Sequence, residues 1–307
     1  MGSSEGTPST AAGSGISTNT CWAPAESAHH FVLVHGIGHG SWCWYRIRTL
    51  LESSGHRVSC VDLASAGVDR TDANTLESFG EYNRPLIDLM ASLPENEQVV
   101  VVGHSAGGLS VTEASHKFPN KIRVAVYLAA TMLRLGFCTD RDVLDSLNHQ
   151  LLQIIINIVL VQGTPDLSSY GENAYELGFG KGTNNPPTSA KVATHLLREV
   201  VYNTSPPEDC TLAAMLLKPG PIMALQSARF DDDHEAAEGV ERVYIKTMQD
   251  NVVKPEQQDA MIKRWPPSKV YALDCDHSPF FSSPFLLSGL LLNIAAAAAA
   301  AAAGSSN

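Results

Sequence analysis

Residues 99–108 read VVVVGHSAGG, and the fold class turns on them. Four consecutive valines form a continuous apolar run of the kind found in strands buried on both faces. The next five residues, Gly103-His104-Ser105-Ala106-Gly107, spell G-x-S-x-G, and GLSVTEASHKF after them repeats its apolar residues at three and four, as a helix does. In this strand-turn-helix setting the glycines have a physical reason. The turn is sharp and neighbouring side chains would clash at it. Ser105 is therefore a candidate nucleophile. The competing reading is a glycine-rich turn with an incidental serine, and the strand before it and the helix after it weigh against that.

Five further runs resemble Val99–His104: HFVLVHG (30–36), RVSCVDL (57–63), IRVAVYLA (122–129), RVYIKTM (242–248) and KVYALD (269–274). Helical patterns lie between them, among them WYRIRTLLESSG and FGEYNRPLIDLMASL. Strand alternating with helix predicts an α/β protein with a mostly parallel sheet flanked by helices. The alternation stops between about 131 and 235, where the chain turns helical and loop-rich around GKGTNNPPTS. An insertion late in such a sheet commonly covers the ligand crevice. The expected organisation is a disordered tail (1–27), a core of 28–130 plus 236–294, an inserted helical cap (131–235) and an Ala-rich low-complexity tail (295–307). Leu151–Val161 is too short to span a membrane and reads as a buried cap segment. Phe285–Ala303 reads as the last core helix with an alanine extension.

The 307 residues carry 21 Lys+Arg against 32 Asp+Glu, a formal charge of −11, with 44% hydrophobic residues. No stretch concentrates basic residues, which argues against nucleic acid and anionic membrane surfaces as partners. The six cysteines are dispersed and no secretory leader precedes them, so they read as reduced thiols in a cytoplasmic protein.

A serine hydroxyl needs a histidine base, and the base needs an acid to fix its tautomer. In this architecture the chain order is Ser, Asp, His. Asp250 follows the run RVYIKTM and His277 follows KVYALD, so both should emerge at the sheet edge that carries Ser105. The glycine-rich loop His35-Gly36-Ile37-Gly38-His39-Gly40 follows the first strand and lets amides approach a developing oxyanion. The amides of Ile37 and of Ala106, the residue after the nucleophile, are the expected oxyanion hole. A phosphate-cradling loop is the rival reading, but the spacing fits neither G-x-G-x-x-G nor G-x-x-x-x-G-K-[ST]. His39 reads as a structural hydrogen-bonder. This chemistry requires no cofactor and no metal, and no metal-binding motif is present in the sequence.

With HGIGHGSWCWY, VDLASAGV, YNRPL, VGHSAGG, YIKTMQDN and DHSPFFS in hand, the chain resembles the plant methylesterase and hydroxynitrile lyase family of α/β-hydrolases, from about His30 to Leu292. It is most similar to the methyl indole-3-acetate esterase branch, through NTLESFGEYNRPL, YIKTMQDN and RWPPSKVY. The resemblance implies an α/β-hydrolase fold and hydrolysis of methyl esters of small hormone acids. Its small-molecule partners would be the ester and its free acid, and it admits a homodimer. Ser105, Asp250 and His277 match the family's triad, and Ile37 and Ala106 its oxyanion amides. The acyl pocket is expected to include Gly36, Met132, Met215 and Leu216. The lyase branch carries Thr and Lys where this chain has Gly36 and Ser278, which disfavours cyanohydrin cleavage. A hormone-binding protein with little turnover is the competing function, since fold alone does not exclude it.

Overall fold

Each of the six apolar runs is a strand in the computed structural model, which describes residues 1–2, 28–137, 167–171, 173–230 and 237–304. They are β1 (His30–Val34), β2 (Arg57–Val61), β3 (Val99–His104), β4 (Ile122–Leu128), β7 (Arg242–Thr247) and β8 (Lys269–Leu273). All pair in parallel, in the order β2-β1-β3-β4-β7-β8. The order reverses direction at β1 and β3, and ligand crevices open at the carboxyl ends of strands at such a switch point. The tail expected over 1–27, apart from its first two residues, and the segment Leu151–Val161 lie outside the described residues.

Helices cover both faces. α1 (Tyr45–Ser53) lies on one side, while α2 (Phe79–Ser92) and α3 (Gly107–Lys117) lie on the other. Alternation along the strands divides the core accordingly. Phe31 and Leu33 pack with Ile47 and Leu51 of α1, whereas Val32 and Val34 pack with Tyr82, Leu86 and Leu109. The start of α2 is fixed by a capping box, in which Ser78 Oγ accepts from the Glu81 amide and Glu81 accepts from the Ser78 amide.

The described residues of the insertion between β4 and β7 contain strand as well as the expected helix. Among its described residues are two strands, β5 (Tyr175–Gly178) and β6 (Ser189–Val192), paired antiparallel with Tyr175 opposite Val192. α4 (Pro207–Leu216) and α5 (Ile222–Gln226) follow. α6 (Pro255–Arg264) lies between β7 and β8, and α7 (Pro284–Gly304) closes the described chain. α7 is long and apolar enough to cross a membrane by length and composition. One stripe of it, Leu287, Leu291, Ile294, Ala295 and Ala298, packs in the core on the α1 side. Those spacings are one helical face, so the expected boundary at 295 is not a structural one. The alanine run continues the helix to Gly304 because alanine has the highest helix propensity, and its first turn is core.

Candidate active site

Ser105 sits at the carboxyl end of the central strand β3 with a left-handed backbone, φ +54°. That conformation is strained for a residue with a side chain. It is held by three backbone bonds: Ser105 N–H donates to Leu128 O (3.2 Å), and Ser105 O accepts from Gly108 N (3.0 Å) and Thr131 N (2.9 Å). The turn is tight enough that a Cβ on Gly107 would lie 2.5 Å from His35 O. The strain aims the hydroxyl out of the sheet edge, as a strand-to-helix elbow does.

Asp250 and His277 follow β7 and β8 and meet there. His277 Nδ1 is 2.8 Å from Asp250 Oδ2, and both residues are buried. A carboxylate oxygen accepts only, so Nδ1 carries the proton and the Nε2 lone pair is left for a substrate-side proton. The carboxylate is held on every side. Oδ1 accepts from the amides of Val252 and Val253, both at 2.8 Å. Oδ2 also accepts from Thr247 Oγ1 (2.8 Å) and Gln258 Nε2 (3.3 Å). Gln258, buried on α6, also bonds both backbone groups of Thr247. It orients the acid, and the sequence gives no signal for it beyond an apolar-face position occupied by an amide.

Ser105 and His277 line one cavity with Ile37 of the glycine-rich loop. The cap supplies the opposite wall through Tyr175, Val192, Leu197, Val201 and Leu217. The empty space in the cavity, counted out to open solvent, is about 530 Å³. Among the described residues, neither the Ile37 nor the Ala106 amide donates to a protein acceptor. The peptide that contains the Ile37 N–H is fixed at its other end, where Gly36 O accepts from His35 Nδ1 (2.7 Å) and His39 N (3.2 Å). His39 Nδ1 donates in turn to Ile37 O (3.3 Å) and its Nε2 accepts from Tyr202 Oη (2.7 Å). Burial holds His39 neutral, its pKa lowered to about 3, which suits a hydrogen-bonding strut better than a base.

The expected pocket residues are not brought together. Gly36 packs beneath Ser105, where a Cβ would lie 2.8 Å from the Ser105 Cβ. Met132 is fully buried in the core on the α2/α3 side, its amide 3.4 Å from Met261 Sδ, and is not among the residues that line the cavity. Met215 and Leu216 are 78% and 39% exposed on α4. The residue that turns inward is the next one, Leu217, because α4 ends at Leu216 and the chain becomes extended there. Among the described residues no cluster of three His, Cys, Asp or Glu could hold a metal ion.

Residues 31–287 match the family described as the alpha/beta hydrolase family. Methylesterase 17 of Arabidopsis thaliana is 50% identical over 275 residues, which is 89% of this chain and 93% of that protein. Pheophorbidase of Raphanus sativus is 42% identical, covering 87% of this chain and 94% of that protein. Methyl jasmonate esterase 1 of Vitis vinifera is 38% identical over 86% of this chain and 96% of its own. Among solved structures, a methylesterase from Arabidopsis superposes with a TM-score of 0.72 at 38% identity, covering 88% of this chain and 99% of that one.

Proposed function

The chain belongs to the plant methylesterases of the alpha/beta hydrolase family and is a carboxylic ester hydrolase, and we propose that it cleaves methyl esters of small hormone acids, methyl indole-3-acetate first, through Ser105, His277 and Asp250. The observation that carries the reading is His277 held on Asp250 at 2.8 Å in the cavity where strained Ser105 sits. The preference for the indole ester rests on sequence likeness alone, through the stretches NTLESFGEYNRPL, YIKTMQDN and RWPPSKVY that resemble the methyl indole-3-acetate esterase branch.

In this reading Ser105 Oγ attacks the ester carbonyl carbon as His277 Nε2 takes its proton. The imidazolium so formed is stabilised by Asp250. Negative charge on the carbonyl oxygen falls on the amides of Ile37 and Ala106. Collapse breaks the acyl–methoxy bond, and His277 returns the proton to the leaving oxygen to give methanol. Water then repeats the sequence on the acyl-enzyme and releases the acid. The aliphatic wall of Val192, Leu197, Val201 and Leu217 suits an apolar acyl group.

The test is release of free acid from methyl indole-3-acetate, methyl jasmonate and methyl salicylate by purified protein, with Ser105→Ala as the blank. Turnover fastest on the indole ester and lost in the variant is expected. Tight binding of the free acid without turnover would replace the esterase with a binding protein.

A further inference from the structure

The two residues that precede the nucleophile and the base, His104 and Asp276, belong to no step of the reaction, yet both are fully buried and both grip the same peptide unit. That unit joins His277 to Ser278. Its carbonyl, His277 O, accepts from His104 Nε2 at 2.7 Å. Its N–H, on Ser278, donates to Asp276 Oδ1 at 2.9 Å. A peptide plane bonded at both ends cannot rotate, and His277 Cα is attached directly to it. His104 thus ties the elbow that carries Ser105 to the loop that carries His277.

The Asp276 carboxylate reaches further. Its Oδ1 also accepts from Ser282 Oγ (2.7 Å). Its Oδ2 accepts from Thr204 N (2.9 Å) and Ser205 Oγ (2.7 Å), both in the cap. The Asp276 amide donates to Thr204 Oγ1 at 3.1 Å. Each oxygen therefore has two neutral donors, and none of the ion pairs among the described residues involves Asp276. A buried carboxylate without a cation is a costly choice for mere packing, and four directed donors make it a hub between the cap and the base loop.

Resting on the proposed Ser-His-Asp reading, we infer that His104 and Asp276 are positioning residues that clamp the 277–278 peptide and hold the His277 ring on line between Asp250 and Ser105. The titratable groups that face His277 are Asp250 after β7, His104 ending β3, His39 after β1 and its own neighbour Asp276. Lys191 and Lys218 line the cavity from the cap side, engaged with Glu176 and with Asp69 O. Burial keeps His104 and His39 neutral, so Asp250 is the group whose charge stabilises protonated His277 through a direct hydrogen bond. Loosening the clamp weakens that bond and moves the acid limb of kcat/KM to lower pH.

The experiment compares His104→Gln, whose amide places an N–H near the imidazole Nε2–H, with His104→Leu, which has no donor, and with Asp276→Asn, which sets a donor against two of the four donors that hold the carboxylate and so loosens it on the Ser278 peptide. On the best methyl ester, His104→Leu and Asp276→Asn should lower kcat roughly 10- to 100-fold, as sub-ångström misplacement of a base does. KM should stay within about twofold and the acid limb should shift down, while His104→Gln restores both rate and limb. A folded His104→Leu with wild-type kcat and an unmoved limb overturns the clamp, as does His104→Gln impaired as badly as His104→Leu. If His104→Leu does not fold, Asp276→Asn decides by the same readouts. Ser105→Ala separates the two levels: turnover surviving in it removes the triad itself, whereas its loss beside a fully active His104→Leu removes only the clamp.

Discussion

Asp250 has no unused acceptor direction. Its Oδ1 serves two amides, and its Oδ2 serves Thr247, Gln258 and His277. Asp250→Asn keeps the shape but places an N–H donor opposite His277 Nδ1, which forces the proton onto Nε2, where it blocks acceptance from Ser105. Activity at neutral pH should fall roughly 10³- to 10⁴-fold, and a kcat within tenfold of wild type would remove Asp250 from the proposed triad. The pocket wall gives a second comparison, between adjacent side chains. Leu217 lines the cavity, whereas Met215 is 78% exposed. Leu217→Ala should raise KM about tenfold through lost apolar burial, and Met215→Ala should leave it within about twofold. Equal effects on KM would mean that α4 turns differently when substrate binds. Sequence alone could not rank Met215, Leu216 and Leu217. Three consecutive apolar residues at a helix end satisfy any phase, and the inward one is decided by where the helix stops.

The core strands were legible because a central parallel strand is apolar on both faces, which gives runs such as VVVV and HFVLV. Ser105, Asp250 and His277 were legible as candidate site residues because each comes within a few residues of the end of such a run. The β5–β6 hairpin was not. Its strands are YELG and SAKV, four residues each, with polar side chains and half-exposed surfaces that carry no periodic signal. That hairpin nevertheless reaches the chemistry. Ala190 of β6 exchanges both backbone bonds with Gly220 (3.0 and 2.8 Å), and Lys218 N–H donates to Gly38 O (2.9 Å). A Cβ built on Gly220 would overlap Ile37 Cγ1. The cap thereby presses on the loop that carries the Ile37 amide, so Gly220→Ala should lower kcat by roughly 10²-fold through a displaced oxyanion donor. Wild-type kcat in that variant would show that Ile37 can yield without moving its amide. Gly289, on the exposed side of α7 with no atom near its missing Cβ, gives the opposite outcome. Gly289→Ala should raise stability by about 0.5–1 kcal/mol, visible as a melting temperature higher by a few degrees with activity unchanged.

Across the whole molecule, the histidines that build the site make the fold sensitive to acid independently of the chemistry. His35, His39 and His104 are buried in one cluster beneath Ser105. Burial is the largest influence on each, and it lowers all three pKa values, that of His39 to about 3. Above pH 6.5 neither the folded nor the unfolded chain protonates these rings, so they leave stability independent of pH. Below it the unfolded chain takes up protons that the folded one refuses, and stability falls as pH falls, down to the folded-state values. Each ring contributes a slope of up to about 1.4 kcal/mol per pH unit. The net charge of −11 acts in the other direction, since acidification relieves self-repulsion. Most carboxylates do not titrate between pH 6.5 and 5, however, so in that window the buried rings decide the sign. Urea unfolding free energies should therefore drop steeply from pH 7 to 5. His39→Gln should flatten the drop by the share of one ring, even though it loses stability at pH 7 by disturbing Tyr202 and Ile37. A profile flat from pH 7 to 4.5 would mean that the cluster opens locally to take up protons without unfolding. In that case any loss of turnover over the same range would belong to the site rather than to the fold.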